Sequence, residues 1–316
     1  MRLRGFLLFV VLFGQSVFAA EADPFYFKDG ERIVFLGDSI TQNGSYIAYI
    51  DAHLMKHYPD KRFTLVNLGL SSETASGLSE PDHPFPRPCV HSRLDRALSE
   101  SKPDWVVICY GMNDGIYYPF GEARFLAYVK GMRSLVGVCK AAGSRVIVMT
   151  PPPFDAKSRK QPLAPAGLPE YSYKAPYEDY DDVLGQYAGW VLSLDGEVDR
   201  VVDIYKPMKR ALAAKRESDP DYRSGDGIHP NAEGHWLMAE TLLGRVKAPK
   251  PEGMPAYVTR PNDSELGRLL MKRHRLLSRS WREQVGHDRA KAKADLPAAL
   301  AEGKALEAKL RASLAP

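Results

Sequence analysis

The segment Ile33-Val34-Phe35-Leu36-Gly37-Asp38-Ser39-Ile40-Thr41 decides the fold. A run of β-branched and apolar side chains stops at a glycine, a Gly-Asp-Ser turn follows, and a helical pattern begins near Ser45. This pattern describes a buried strand that hands a serine to a turn at a sheet edge. A serine so placed is a nucleophile if a base reaches it. Ordinary turns also contain Gly-Asp-Ser, so the segment needs partners elsewhere in the chain.

One partner is Asp226-Gly227-Ile228-His229-Pro230-Asn231. Asp and His three residues apart reach one spot when the turn between them is tight, and Gly227 favours that turn. Pro230 suits the first turn of a following helix. His229 supplies a base, and Asp226 holds its tautomer and steadies the imidazolium. Two further strands end in candidate donors. Phe63 to Leu68 runs into Gly69, and Trp105 to Tyr110 runs into Gly111-Met112-Asn113-Asp114. The Gly69 N–H and the Asn113 amide are expected at the same sheet edge, where acyl transfer needs donors around its oxyanion.

With all four pieces in one order, the chain resembles the SGNH (GDSL) hydrolase family, named for its Ser, Gly, Asn and His. Gly-Asp-Ser-Ile matches the first block at Ser39, and Asn-Leu-Gly the second at Gly69. Gly-Met-Asn-Asp matches the third at Asn113, and Asp-Gly-Ile-His-Pro the last at Asp226 and His229. The match spans roughly residues 31 to 245. One departure stands in the second block. Relatives often have Ser-Gly after its glycine, and this chain has Ser71-Ser72, which leaves Gly69 as a donor and makes the adjoining loop harder to read. The resemblance implies a secreted bacterial serine esterase. Ser39 is its nucleophile, His229 the base and Asp226 the orienter. Its oxyanion hole comprises the N–H groups of Ser39 and Gly69 and the Asn113 amide. It implies no cofactor and no metal. Asp38 has no triad role in this pattern and is expected to form the turn and cap it.

Outward from the motif, the reading is one α/β domain at residues 21–245. It is a three-layer α/β/α sandwich of the SGNH, flavodoxin-like kind with a parallel sheet of about five strands. Strands are expected at 31–36, 62–68, 104–110, 144–149 and 198–203. Helices are expected at 45–58, 90–101, 121–142, 177–195, 205–216 and 231–245. Residues 150–176 hold seven prolines and interrupt the alternation on the catalytic side. That loop is a lid or substrate wall, or a structural wrap. Residues 246–262 contain four prolines and read as a linker. Two helical segments follow, about 263–286 and 295–313, as a helical C-terminal extension at 263–316. Leu266, Leu269, Leu270, Leu276 and Leu277 stripe the first of them. A hairpin packed on the core or a dimer contact explains the stripe, with the extension expected away from the Ser39 edge.

Residues 1–20 read as a signal peptide. Arg2 and Arg4 form the charged region, Phe6 to Phe13 the apolar one, and Val17-Phe18-Ala19-Ala20 the cleavage site. The expected location is the periplasm or outside the cell. Removing Arg2 and Arg4 lowers the net charge from +4 to +2, so no general attraction to nucleic acid is expected. Membrane insertion is not expected either, and the oligomeric state stays open. The charge is uneven: residues 268–293 hold nine Lys or Arg against Glu283 and Asp288, and the rest of the mature chain is net negative. That run is a solvated helix face or a surface for an anionic polymer.

Of the three cysteines, Cys109 is expected inside a strand, and a Cys89–Cys139 bridge stays open. His53 and His57 have i, i+4 spacing without a third metal ligand and are expected to pack or face solvent. No Gly-x-Ser-x-Gly elbow is present, which argues against the α/β-hydrolase fold. The first-choice substrate is an acetylated polysaccharide. Tyr117, Tyr118, Tyr171, Tyr173 and Tyr177 are candidates for sugar-stacking surface. Alternatives are a lysophospholipase or thioesterase and, from a different class, a catalytically silent glycan-binding protein.

Overall fold

Strand β1 (Arg32–Gly37) is an interior strand of the sheet, with Ile33 to Leu36 fully buried. The computed structural model describes residues 25–286 and 295–314, so the expected signal peptide lies outside the described residues. Strands β2 (Thr64–Asn67), β3 (Trp105–Cys109), β4 (Arg145–Met149) and β5 (Arg200–Val202) complete a five-stranded sheet. Every pairing is parallel and the order is β2-β1-β3-β4-β5. A strand buried on both faces needs a continuous apolar run, and β3 (Trp-Val-Val-Ile-Cys) is buried throughout.

The helices are α1 (Ser39–Asn43), α2 (Ser45–His57), α3 (Leu94–Ser101), α4 (Glu122–Ala141), α5 (Tyr180–Leu192), α6 (Tyr205–Ser218) and α7 (Ala232–Arg245). The chain leaves β1 toward β2 and then returns past β1 to β3. Right-handed crossovers therefore place α2 on one face and α3, α4 and α5 on the other. Helix α7 packs on α2 and completes the second layer. The reversal of strand order falls between β1 and β3, where open α/β sheets form a crevice beyond the strand carboxyl ends. Ser39 follows β1 and Asn113 follows β3, so both lie at that crevice.

Helix α1 was not expected. The Asp38 side chain accepts the Ile40 N–H at 2.9 Å and starts a helical turn at the serine itself. Helix α5 starts at Tyr180 rather than 177 because the Tyr177 N–H is drawn to the Tyr117 carbonyl at 3.0 Å. Cys109 lies inside β3, and the three cysteines are free thiols. The His53 ring donates to the Pro249 carbonyl at 2.8 Å.

The C-terminal extension differs most from expectation. Residues 246–262 do not form a free tether. They carry α8 (Ala256–Thr259), which packs on α7 with Val258 fully buried. Helices α9 (Glu265–Val285) and α10 (Leu296–Leu314) form the expected hairpin. Helix α9 lies against β2, α2 and α3, so it closes the β2 edge of the sheet, which would otherwise present unpaired backbone groups. Its buried face is not the leucine stripe alone. Arg273 is buried, ion-paired with Asp51 of α2 and, at 2.8 Å, with Glu307 of α10. Among the described residues, no helix is long and apolar enough to cross a membrane.

Candidate active site

The structure brings Ser39, Asp226 and His229 together. The Ser39 hydroxyl donates to His229 Nε2 at 2.8 Å, and His229 Nδ1–H donates to Asp226 Oδ2 at 2.8 Å. The tautomer follows from the carboxylate, which only accepts. The other Asp226 oxygen, Oδ1, accepts the backbone N–H of Ile228 at 2.9 Å and of His229 at 2.7 Å. This turn closes only because residue 227 is a glycine. Its φ is +92°, and a Cβ there would lie 2.6 Å from Arg159 Cδ and 2.7 Å from the Asp155 carbonyl oxygen.

Partial burial raises the Asp226 carboxyl, but the hydrogen bonds from His229 and Ile228 outweigh it and hold the group well below the usual carboxylate range. Burial lowers the His229 imidazole, yet its bond to Asp226 and the charges of Asp226 and Asp38 raise it above its ordinary value. Asp38 is itself pushed up to about 7 by full burial. Its hydrogen bond goes to Ile40, so it caps α1 as expected and takes no part in the relay.

The loop after β4 clamps the Asp226 turn from behind. The Asp155 N–H donates to the Gly227 carbonyl at 2.9 Å. The Asp155 carboxylate in turn accepts from Arg216, Ser158 and Ser224. Arg159 reaches the Asp226 carbonyl at 3.3 Å and the Tyr173 carbonyl at 3.0 Å.

On the opposite side, Asn113 is fixed by two bonds. Its Oδ1 accepts the Tyr117 hydroxyl at 3.0 Å, and its Nδ2 donates to the Glu73 carbonyl at 3.1 Å. Tyr117 thereby sets which way the amide points, leaving the second Nδ2 hydrogen for the cavity. Tyr117 adopts φ +64°, a left-handed position that its packing against Tyr180 holds in place.

Gly69 does not supply the expected donor. Its N–H donates to Asn67 Oδ1 at 2.9 Å, so it is already used. A glycine is needed there for a different reason: a Cβ would lie 2.3 Å from the Gln42 nitrogen, in the turn that follows Ser39. Ser72, and not Gly69, lines the cavity with Ser39, Asn113 and His229. The backbone N–H groups of Ser39 and Ser72 have no acceptor among the described residues. Ser72 has φ +66°, where glycine is favoured.

The Ser72 loop is held on all sides. Asp114 Oδ1 accepts the N–H groups of Ala75 and Ser76 at 2.8 and 2.7 Å. Glu73 is fully buried and paired with Arg93 at 2.6 Å. Arg87 Nη1 reaches the Ser72 carbonyl at 3.3 Å while its guanidinium grips Glu80.

These groups surround a cavity of about 300 Å³. Its outer wall is His83, Pro84, Phe85 and Tyr173. Loop 150–176 is thus a wrap at Asp155 and a wall at Tyr173. Of the five tyrosines singled out, Tyr117 and Tyr173 line the cavity, and Tyr117 is buried. Tyr171 is buried against Tyr118 and Tyr177.

A serine hydroxyl bonded to an imidazole that a carboxylate holds, beside N–H groups without acceptors among the described residues, is the arrangement that acyl transfer needs. Known proteins agree. The sequence model of the GDSL-like lipase/acylhydrolase family matches residues 35–237. The chain belongs to this family. It is a carboxylic ester hydrolase by that membership. It is 26% identical over 239 residues to an acetylxylan esterase of Geobacillus stearothermophilus, covering 69% of this chain and 94% of the relative. The crystal structure of that esterase superposes with a TM-score of 0.52 at 24% identity, over 71% of this chain and 98% of that one. A gut microbial diltiazem-metabolizing enzyme superposes with a TM-score of 0.57 at 22% identity over 70% of this chain, which spans only 48% of that enzyme. At such identities the superpositions establish the fold.

For this GDSL hydrolase, sequence reading missed Ser72 at the cavity, the bond by which Tyr117 holds Asn113, and the Asp155 clamp. The signal for Ser72 was present. Ser71-Ser72 stands where a Ser-Gly pair was expected, and Ser72 adopts a left-handed backbone that favours glycine. Tyr117 and Asp155 had no comparable mark, because their roles rest on contacts distant in sequence.

The structure also corrects the expected position of the extension. His274 of α9 accepts a hydrogen bond from Asn67 Nδ2 at 3.4 Å. Asn67 Nδ2 in turn donates to the Thr41 carbonyl at 2.7 Å, two residues past the nucleophile. The extension therefore buttresses the Ser39 edge. Burial pushes His274 down to about 4, so it stays a neutral partner there.

Proposed function

We propose that this protein is an exported serine esterase that removes acetyl groups from a polysaccharide. The observation that carries the reading is the Ser39–His229–Asp226 relay facing free donors at Ser39, Ser72 and Asn113. Ser39 Oγ attacks the ester carbonyl carbon as its proton passes to His229 Nε2. The carbonyl oxygen gains charge and is received by the N–H groups of Ser39 and Ser72 and by Asn113 Nδ2–H. His229 returns the proton to the departing alkoxide of the sugar. Water then attacks the acyl-enzyme through the same base and releases acetate. Asp226 keeps Nδ1 protonated and stabilises the imidazolium between steps.

The sequence relationship to an acetylxylan esterase supports a sugar ester as substrate. Tyr173 and Phe85 at the rim offer apolar faces against which a pyranose ring packs. Residues 1–20 support export. The test is hydrolysis of p-nitrophenyl esters of increasing chain length, beside acetate release from acetylated xylan. The proposal requires the acetyl ester to be preferred and acetate to appear. Rates that climb with chain length would assign a lipid or thioester substrate instead. No turnover of any ester by folded protein would leave a glycan-binding role.

A further inference from the structure

A second cavity, of about 680 Å³, adjoins the catalytic one. Ser71, Phe85 and Arg87 line both, so the two are neighbouring parts of one surface. Its walls come from the loop before α3 and from α9 of the C-terminal extension. Among the described residues they carry five arginines and one acid, Glu283, although the mature chain outside residues 268–293 is net negative.

The arginines are not equivalent. Arg87 is neutralised by Glu80 at 2.5 Å and Arg93 by Glu73 at 2.6 Å, both buried pairs. Arg279 reaches Glu283 at 2.8 Å, which occupies the one acid of the wall among the described residues. Arg96 donates to the carbonyls of Val285 and Gly286 at 2.9 and 3.1 Å, which are neutral acceptors. Arg282 makes no ion pair within 4 Å among the described residues, and its Nη1 is out of solvent with no acceptor. An arginine cannot shed its charge at physiological pH. A guanidinium left in this state is costly unless an anion completes it. Burial and the neighbouring Arg93 charge disfavour its cationic form, and the Glu283 charge offsets them only in part.

We propose that this groove, centred on Arg282 and Arg96, is a subsite for an anionic sugar, so that the substrate is an acidic glycan carrying a carboxylate or a sulfate near its acetyl ester. Guanidinium groups match the geometry of either anion with paired hydrogen bonds. Phe85, on the shared wall, gives the intervening sugar an apolar surface, and one oligosaccharide would occupy both cavities. The extension then has a role beyond covering the sheet edge, because α9 supplies Arg282. The inference rests on the esterase reading for the adjoining cavity, but binding tests it separately.

The experiment uses full-length mature protein with Ser39→Ala, so that ligands are bound and not turned over. Titration calorimetry at low and high salt compares three probes: neutral xylohexaose, a glucuronate-bearing xylooligosaccharide and a sulfated xylooligosaccharide. The proposal predicts that at least one acidic probe binds about tenfold or more tighter than the neutral one, about 1.4 kcal/mol. That margin should shrink at high salt. The carboxylate and sulfate arms decide which anion is preferred. Arg282→Gln, and the exposed Arg96→Gln in case the first variant unfolds, should reduce the margin toward one. Equal binding of neutral and acidic probes overturns the proposal, as does a margin that survives both substitutions. Wild-type hydrolysis of p-nitrophenyl acetate is measured alongside. Its absence would overturn the esterase reading while the binding result still decides the subsite.

Discussion

Tyr117→Phe removes one hydroxyl whose hydrogen, in the structure, determines how the Asn113 amide faces the substrate. The Tyr117 hydroxyl donates to Asn113 Oδ1 at 3.0 Å, and the ring is buried between Arg87 and Tyr180. Phenylalanine fills the same space, so packing is retained. A hydrogen bond of this kind contributes about 0.5–1.5 kcal/mol net. If that energy favours the productive orientation of the amide, kcat should fall about two- to twelvefold, at 1.4 kcal/mol per tenfold. Asn113→Ala removes the donor altogether and should lower kcat by about 10²–10³ with a much smaller change in KM. The informative variant is the double one. With no amide to orient, Tyr117→Phe should add nothing to Asn113→Ala, an interaction energy equal to the whole single effect. Steady-state kinetics on p-nitrophenyl acetate gives all four corners of the cycle, and a thermal melt of each variant checks the fold. Additive losses, or a Tyr117→Phe enzyme with unchanged kcat, would show that Tyr117 does not position Asn113.

Three further expectations follow from the same geometry. Because Asp226 and Asp38 raise His229 above its ordinary 6.5, the base becomes protonated and activity is lost as pH falls through a value above 6.5. In a profile of kcat/KM against pH, Asp226→Asn should move that acid limb downward, and an unmoved limb would contradict the assignment. Ser72→Gly keeps the backbone N–H and relieves a left-handed serine, so kcat should hold and stability should rise by up to about 1 kcal/mol. A hundredfold loss of kcat would instead implicate the Ser72 hydroxyl. Arg273→Ala strands the buried Asp51 carboxylate and should cost about 3–5 kcal/mol by chemical denaturation, whereas the exposed Arg275→Ala should fall within about 0.5 kcal/mol.

The elements legible in the sequence were those whose signal is local. Runs such as Ile33–Leu36 and Trp105–Cys109 are buried on both faces, so continuous apolar character marked them without any knowledge of their neighbours. Asp226 and His229 were legible because three residues of spacing and one glycine are enough to build their contact. Gly69 was misassigned because its conformational freedom and its packing role look alike in sequence. Only the short approach to Gln42 distinguishes them. The basic run in α9 stayed open between a solvated face and a surface for an anionic polymer because a buried arginine and an exposed one are written the same way. Arg273 is identified by Asp51 and Glu307, and Arg282 by the groove it lines, all through contacts more than twenty residues distant or on other elements.

The central claim is that Ser39 is the atom acylated by substrate, activated by His229. A fluorophosphonate probe followed by peptide mapping in a mass spectrometer tests it in one measurement, because the probe reacts only with a serine that a base has activated. The account predicts stoichiometric labelling of the wild-type protein on the peptide containing Ser39, and none in folded His229→Ala protein. Labelling at another residue, or undiminished labelling of Ser39 without His229, would contradict it.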